Sequence, residues 1–301
     1  MRTIVGYLRD YWLSLNKKVF GSSACLIAFL IFLNYQFSIS PNLSKQPFYY
    51  CYLGWYFIFL LALSFPYFIQ YSIEKKSTFI ERKFIVLLLI APGLFAWKMA
   101  SNLNFSISTV KNDNAYWNHV LYWPIKLVVL SGCLWIVWKL FNKEQPFYGT
   151  STYGFKAKPY LLMLIIMLPL IAAASTQPDF LSMYPKLTNI SNLIQPNEGW
   201  KKLLYELSYG SDFVGIELFF RGFLILAFAK WVGKDAILPM ALFYCTIHFG
   251  KPLGECISSF FGGLILGVVT YHTRTIWGGL MVHLGIAWMM ELGGYIGNLY
   301  F

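Results

Sequence analysis

Charge is what this chain has least of. Of its 301 residues, 24 are Lys or Arg and 13 are Asp or Glu, so only 12% are charged, about half the ~25% of a soluble domain. With 57% hydrophobic residues, that scarcity excludes a disordered chain and an ordinary soluble enzyme. Cysteine is also sparse: Cys25, Cys51, Cys133, Cys245 and Cys256 lie scattered in or beside apolar runs, with no CxxC. An odd, scattered set reads as apolar packing and excludes a disulfide framework. There is no HExxH, no GxSxG and no phosphate-cradling glycine loop, so the common signatures of zinc peptidases, serine hydrolases and nucleotide binders are missing. Internal repeats and low-complexity tracts are missing too.

What is present is apolar and aromatic: 20% of residues are Phe, Trp or Tyr, and the mean hydropathy is +0.55. These values point to a polytopic membrane protein. The net charge of +11 fits that reading, because Lys and Arg gather on cytoplasmic loops. No dense basic run or basic helix with interleaved aromatics stands out, so nucleic acid is not an expected partner. The lipid bilayer is. The opening stretch MRTIVGYLRDYWLSLNKK is too polar, and too long before its first apolar run, for a cleaved signal. It reads as an amphipathic leader on the cytoplasmic side.

A span needs about 20 mostly apolar residues. Nine segments qualify: 19–37, 50–71, 84–100, 118–141, 159–176, 204–229, 235–250, 255–272 and 276–297. The third and seventh are short, so the expected fold class is all-α, a polytopic transmembrane helix bundle with about eight or nine spans. With the N-terminus inside, 15 cationic residues, among them Arg9, Lys17, Lys18, Lys75 and Lys76, fall on the inner side and 7 on the outer. That is the bias the positive-inside rule asks for. Pro66, Pro92, Pro124, Pro169 and Pro239 lie within spans, where neighbouring helices absorb their kinks. The chain divides into spans over 1–176, a polar loop over 177–203 and a C-terminal region over 204–301.

Polar residues inside membrane spans are rare unless they pair or act. Lys126 lies near the end of its span and can snorkel. The last four spans are different, for they hold Asp212, Glu217, Arg221, His248, His283 and Glu291. Glu217 and Arg221 are four apart and share a helix face, so they can pair. His248 ends the next span, and His283 sits inside the last, one turn after Gly278 and Gly279. Taken singly, each reads most simply as a structural ion pair or a hydrogen-bonded histidine. Taken together, one carboxylate and two imidazoles on three helices supply what hydrolysis within a membrane needs: a base for water and a donor for the oxyanion, with or without a metal.

Three stretches, in order, carry a family resemblance. IELFFRGFLIL resembles the EExxxR motif of the CAAX-protease and bacteriocin-processing family (CPBP, also called Abi). ALFYCTIHFGKP resembles its second, histidine-ended motif. FFGGLILGVVTYHTRTIWGGLMVHLGIAWMM resembles its third region, which leads into HxxxN. The resemblance covers roughly 200–297 and implies an α-helical intramembrane protease core over 204–301, with a conical cavity. Active members cleave prenylated CAAX proteins or small membrane-associated peptides, and others resemble immunity or regulatory proteins. The resemblance implies Glu217, Arg221, His248 and His283 as catalytic-motif residues, and a divalent metal such as zinc at a His248/His283 cavity is an open option. A bacterial cytoplasmic membrane is the implied location, and a peptide or membrane protein the implied partner.

Two positions depart from the pattern. Ile216 stands where the first Glu, the proposed base, is expected, and Ala287 where the oxyanion-binding Asn is expected. Losing a base typically removes ~10²–10⁴ in rate and losing an oxyanion donor ~10²–10³. Asp212 and Glu291 each lie one helical turn, about 5.4 Å, from those positions. Three readings follow: a protease with a rewired site, a catalytically dead scaffold that binds in the same cavity, or a proton-linked transporter using the same charges. No pair of matching interrupted helices supports the transporter.

Overall fold

A computed structural model describes residues 2–75 and 77–300. Lys76, counted above among the inner cations, lies outside the described residues. Among them there is no strand. The helices are α1 (Arg2–Ser14), α2 (Lys17–Phe37), α3 (Ile39–Ser44), α4 (Phe48–Glu74), α5 (Arg82–Ala100), α6 (Lys111–Phe141), α7 (Lys158–Ala174), α8 (Pro178–Leu181), α9 (Gly199–Glu217), α10 (Ala229–Val232), α11 (Ile237–Thr246), α12 (Leu253–Thr273) and α13 (Trp277–Tyr300). A π-helix, Leu218–Ala227, follows α9 directly.

All nine apolar segments read from the sequence carry a helix. Among the described residues, α2, α4, α5, α6, α12 and α13 are each long and apolar enough to span a membrane, making six. A seventh is reached if α7 and the segment after it, bent by 99°, count as one span. The count is lower than hydropathy suggests for reasons of length and polarity. Helix α11 has ten residues, or about 15 Å at 1.5 Å per residue, half of a ~30 Å hydrocarbon core. The sixth segment begins in the polar turns of α9 and changes from α to π winding at Leu218. Pro66, Pro92, Pro124 and Pro169 sit inside α4, α5, α6 and α7 as expected.

Two compact units can be described, each drawn from three separate stretches of chain. Unit 1 comprises residues 1–101, 133–155 and 218–276. Its core is aromatic: Phe59 lies 4.5 Å from Phe243, and Phe95 lies 4.9 Å from both Phe219 and Phe220, centroid to centroid. Helices α4, α5 and α11 thus enclose the start of the π-helix. At the end of α11, the buried Asn34 of α2 donates to the Phe249 carbonyl at 2.8 Å and accepts from the Ser40 amide at 3.0 Å. Tyr35 donates to the Lys251 carbonyl at 2.6 Å. These bonds fix the turn that carries His248. On the other side of the π-helix, Gly222 permits close approach of the 142–155 loop, since a Cβ there would stand 2.6 Å from the Tyr148 carbonyl oxygen.

Unit 2 comprises residues 102–132, 156–217 and 277–301. Helix α13 packs on α7 and α9 through a glycine face. A methyl group at Gly278 would overlap the Tyr160 ring, and one at Gly285 would strike Leu164. Small residues allow this approach where there is no water to drive apolar association. A second cluster joins Tyr116, Val120, Ile190 and Tyr205. Tyr116 donates to the Lys201 carbonyl at 2.9 Å, and Ser208 donates to the Val120 carbonyl.

Candidate active site

Unit 2 brings together two of the four residues singled out from the sequence. Glu217, the last residue of α9, is fully buried. Its Oε1 lies 3.0 Å from Nδ1 of His283 on α13. The approach depends on Gly279, because a Cβ there would run into the Glu217 carboxylate. The Phe213 ring meets the His283 imidazole edge-on, at 4.6 Å between centroids. A carboxylate accepts hydrogen bonds, so the Nδ1–H of His283 donates to Glu217. The carboxylate orients the imidazole as an outer acid does in other acid–histidine pairs.

Unit 1 holds the other two. Arg221 lies in the π-helix and is fully buried. Its guanidinium carbon stands 4.2 Å above the centre of the Tyr244 ring, within cation–π range. π-Helical winding is rare and recurs at functional sites, and here it sets the position of this arginine. His248 follows α11. Its ring packs 4.7 Å from Tyr244, and its Nδ1 lies 2.9 Å from the Tyr244 carbonyl oxygen. A carbonyl only accepts, so here too Nδ1 bears the proton.

The two departures from the motif are apolar in fact as well as in sequence. Ile216 and Ala287 are both buried. Glu291, one turn past Ala287, has a role that spacing does not reveal. Its carboxylate accepts from the backbone amides of Lys186 at 2.9 Å and Leu187 at 3.4 Å, capping the 3₁₀ helix Lys186–Leu193. Asp212 lies partly buried on α9, one turn before Ile216.

The donor set does not fit a metal site. Among the described residues, no three His, Cys, Asp or Glu side chains are grouped to hold a metal ion, whereas a catalytic zinc takes three protein ligands. Gly222 and Tyr244 are site-shaping residues that motif reading passed over, whereas Gly279 stands out in the sequence as a small residue a turn before His283. Gly222 directly follows Arg221.

No curated protein and no solved structure matches the chain. Residues 211–289, the stretch that holds Glu217, Arg221, His248 and His283, do match a family model, that of the type II CAAX prenyl endopeptidase Rce1-like family, so this part of a helical membrane protein is similar to the membrane endopeptidases that its motifs resemble.

Proposed function

We propose that the chain is an integral-membrane CAAX-protease homologue that holds a membrane-associated peptide or protein partner and cleaves it very slowly or not at all. The bond between Glu217 and His283 carries this reading. It supports an intact, oriented acid–histidine pair, while Ile216 cannot take a proton from water and Ala287 cannot donate to an oxyanion. Glu291 already accepts two backbone amides, which argues against its moving one turn to replace the missing donor. In this proposal Arg221 is a structural cation, and His283, held by Glu217, faces the bound peptide. The N-terminus lies in the cytoplasm, and the membrane is a bacterial cytoplasmic one.

A second reading rests on the same bond. With its Nδ1–H held by Glu217, the His283 ring is oriented as a general base needs to be. His283 would then activate water in place of the missing glutamate, and the chain would be a working peptidase with a shifted base.

The deciding experiment uses the full chain in lipid nanodiscs with a farnesylated CAAX peptide. No cleavage by the parent, binding of the peptide, and cleavage restored by Ile216→Glu with Ala287→Asn is the expected result. Cleavage by the parent that disappears in Glu217→Gln, with folded yield unchanged, establishes the shifted-base reading instead.

A further inference from the structure

Helix α1 lies outside the motif region and packs against α12. It is amphipathic, burying Ile4 and Tyr11 while exposing Trp12 and Leu13. A helix of this kind, with aromatic and aliphatic residues beside cations, lies in the plane of a membrane surface. Between α1 and α12 is an open apolar cleft of about 230 Å³, lined among others by Leu8, Trp12, Leu15, Phe20, Leu264 and Ile265. That is roughly the volume of eight liquid waters. A lining with almost no polar atoms gives water nothing to bond, and such cavities take apolar ligands instead.

Cations stand beside this cleft. Lys17 and Lys18 form the first turn of α2, between Leu15 and Phe20, and both are exposed. Lys17 has a structural duty: its ammonium donates to the Trp12 carbonyl at 2.5 Å and sits 3.9 Å over the Trp12 ring. Lys18 makes no side-chain bond among the described residues. Arg9 is exposed and pairs with its neighbour Asp10 at 3.3 Å. The region is therefore apolar in its depth, cationic at one edge, and marked by an interfacial Trp.

We infer that the cleft between α1 and α12 binds one anionic phospholipid, with part of an acyl chain against Leu8, Leu264 and Ile265 and its phosphate against Lys18 and Lys17. Charge selects this occupant: an uncharged lipid fills the apolar part equally well but gains nothing from the lysines. Each Lys close to an anionic lipid surface strengthens binding about fivefold. The inference is independent of whether the site around Glu217 cleaves anything.

The test is native mass spectrometry of the full chain in a neutral detergent, with equal amounts of dioleoylphosphatidylglycerol and dioleoylphosphatidylcholine. The parent should retain phosphatidylglycerol at least about fivefold over phosphatidylcholine. Lys17→Gln with Lys18→Gln should abolish the preference, and Ile265→Trp, which fills the cleft, should lower retention of both lipids. Because Lys17 also holds Trp12, Lys18→Gln alone is the second variant, and it should cut the preference about fivefold at unchanged folded yield. Equal retention of the two lipids by the parent, or a preference undiminished by Lys18→Gln, means an annular lipid only and overturns the inference. Displacement of the bound phosphatidylglycerol by a farnesylated peptide, one for one, assigns the cleft to a prenyl chain and overturns it as well.

Discussion

Rings pack the unit that holds Arg221 and His248, while glycines and hydrogen bonds pack the unit that holds Glu217 and His283. In the first, Phe59, Phe95, Phe219, Phe220 and Phe243 interlock around the π-helix, and the guanidinium of Arg221 lies on the Tyr244 ring. In the second, α13 reaches its neighbours through Gly278, Gly279 and Gly285, and polar groups meet across the gap. The two histidines show the consequence. His248 donates to a backbone carbonyl, and His283 to a carboxylate. A bond to an ionised acceptor is roughly twice as strong as one to a neutral acceptor. Yet a carboxylate can be removed by a single substitution and a backbone carbonyl cannot. His283 is held more firmly but by a more vulnerable partner.

The largest effect should come from removing that partner. Glu217→Ala leaves an imidazole N–H without its acceptor and opens a cavity at a fully buried position, for a total of about 3 kcal/mol. Glu217→Gln keeps an acceptor oxygen in place and should lose less than half as much. At the other histidine, Tyr244→Phe leaves both the carbonyl and the ring, so His248 and Arg221 keep the contacts described and the change should be small. Thermal melting of the full chain in one detergent checks all three. Equal losses for Glu217→Ala and Tyr244→Phe would erase the contrast between the units.

A smaller effect separates the two glycines. At Gly222 an added methyl would press on the Tyr148 carbonyl, which is backbone and fixed. Overpacking of that kind costs about 1–3 kcal/mol, so Gly222→Ala should lower the melting temperature. At Gly279 the methyl would meet the end of a side chain, the Glu217 carboxylate, which can swing aside. Gly279→Ala should therefore cost less stability but loosen the hold on His283. The readout is the His283 side-chain NMR signal. A shifted and broadened imidazole resonance in Gly279→Ala, with Gly222→Ala leaving it unchanged, is the expected pattern.

Much of this was legible in the sequence, and what was not has physical causes. The nine apolar segments are all helical because a 20-residue apolar run has few other ways to satisfy its backbone in lipid. The rarity of buried charge was enough to mark Glu217, Arg221, His248 and His283 as residues of interest. Spacing places Glu217 and Arg221 on one helix face. It has no means of offering His283, 66 residues away, because that contact depends on how α13 packs. The π-helix was equally hidden: LFFRGFLILA reads as any apolar helix. By spacing alone Glu291 reads as a shifted donor; the 3₁₀ helix at 186–193, inside the stretch that the sequence marks as a polar loop, shows that carboxylate to be its cap.

The smallest effects lie outside the spans, where each unit has a lysine ion pair, and the two differ in exposure and in that Lys201 also reaches Asp113 at 3.4 Å. In unit 1, Lys230 lies 2.8 Å from Glu144, and the two side chains are 32% and 62% exposed. In unit 2, Lys201 lies 2.7 Å from Glu198, at 8% and 26%. Hydrogen bonding to the lysine holds each carboxyl below its ordinary range. A depressed carboxyl stabilises the fold above its unfolded pKa, about 4.3 for Glu, and that contribution is lost as pH falls through the lower, folded value. Both pairs should thus be intact from pH 7 to about 5 and fail in acid. For the exposed Lys230 pair the contribution is within ~0.2–1 kcal/mol and screened by salt, so Lys230→Met should barely move the melting temperature, and not at all in 0.5 M salt. Lys201→Met should move it more, and salt should suppress the difference less. Melting curves at pH 7 and pH 4, at low and high salt, separate the two. If Lys230→Met proved the more costly, exposure would not be what ranks these pairs.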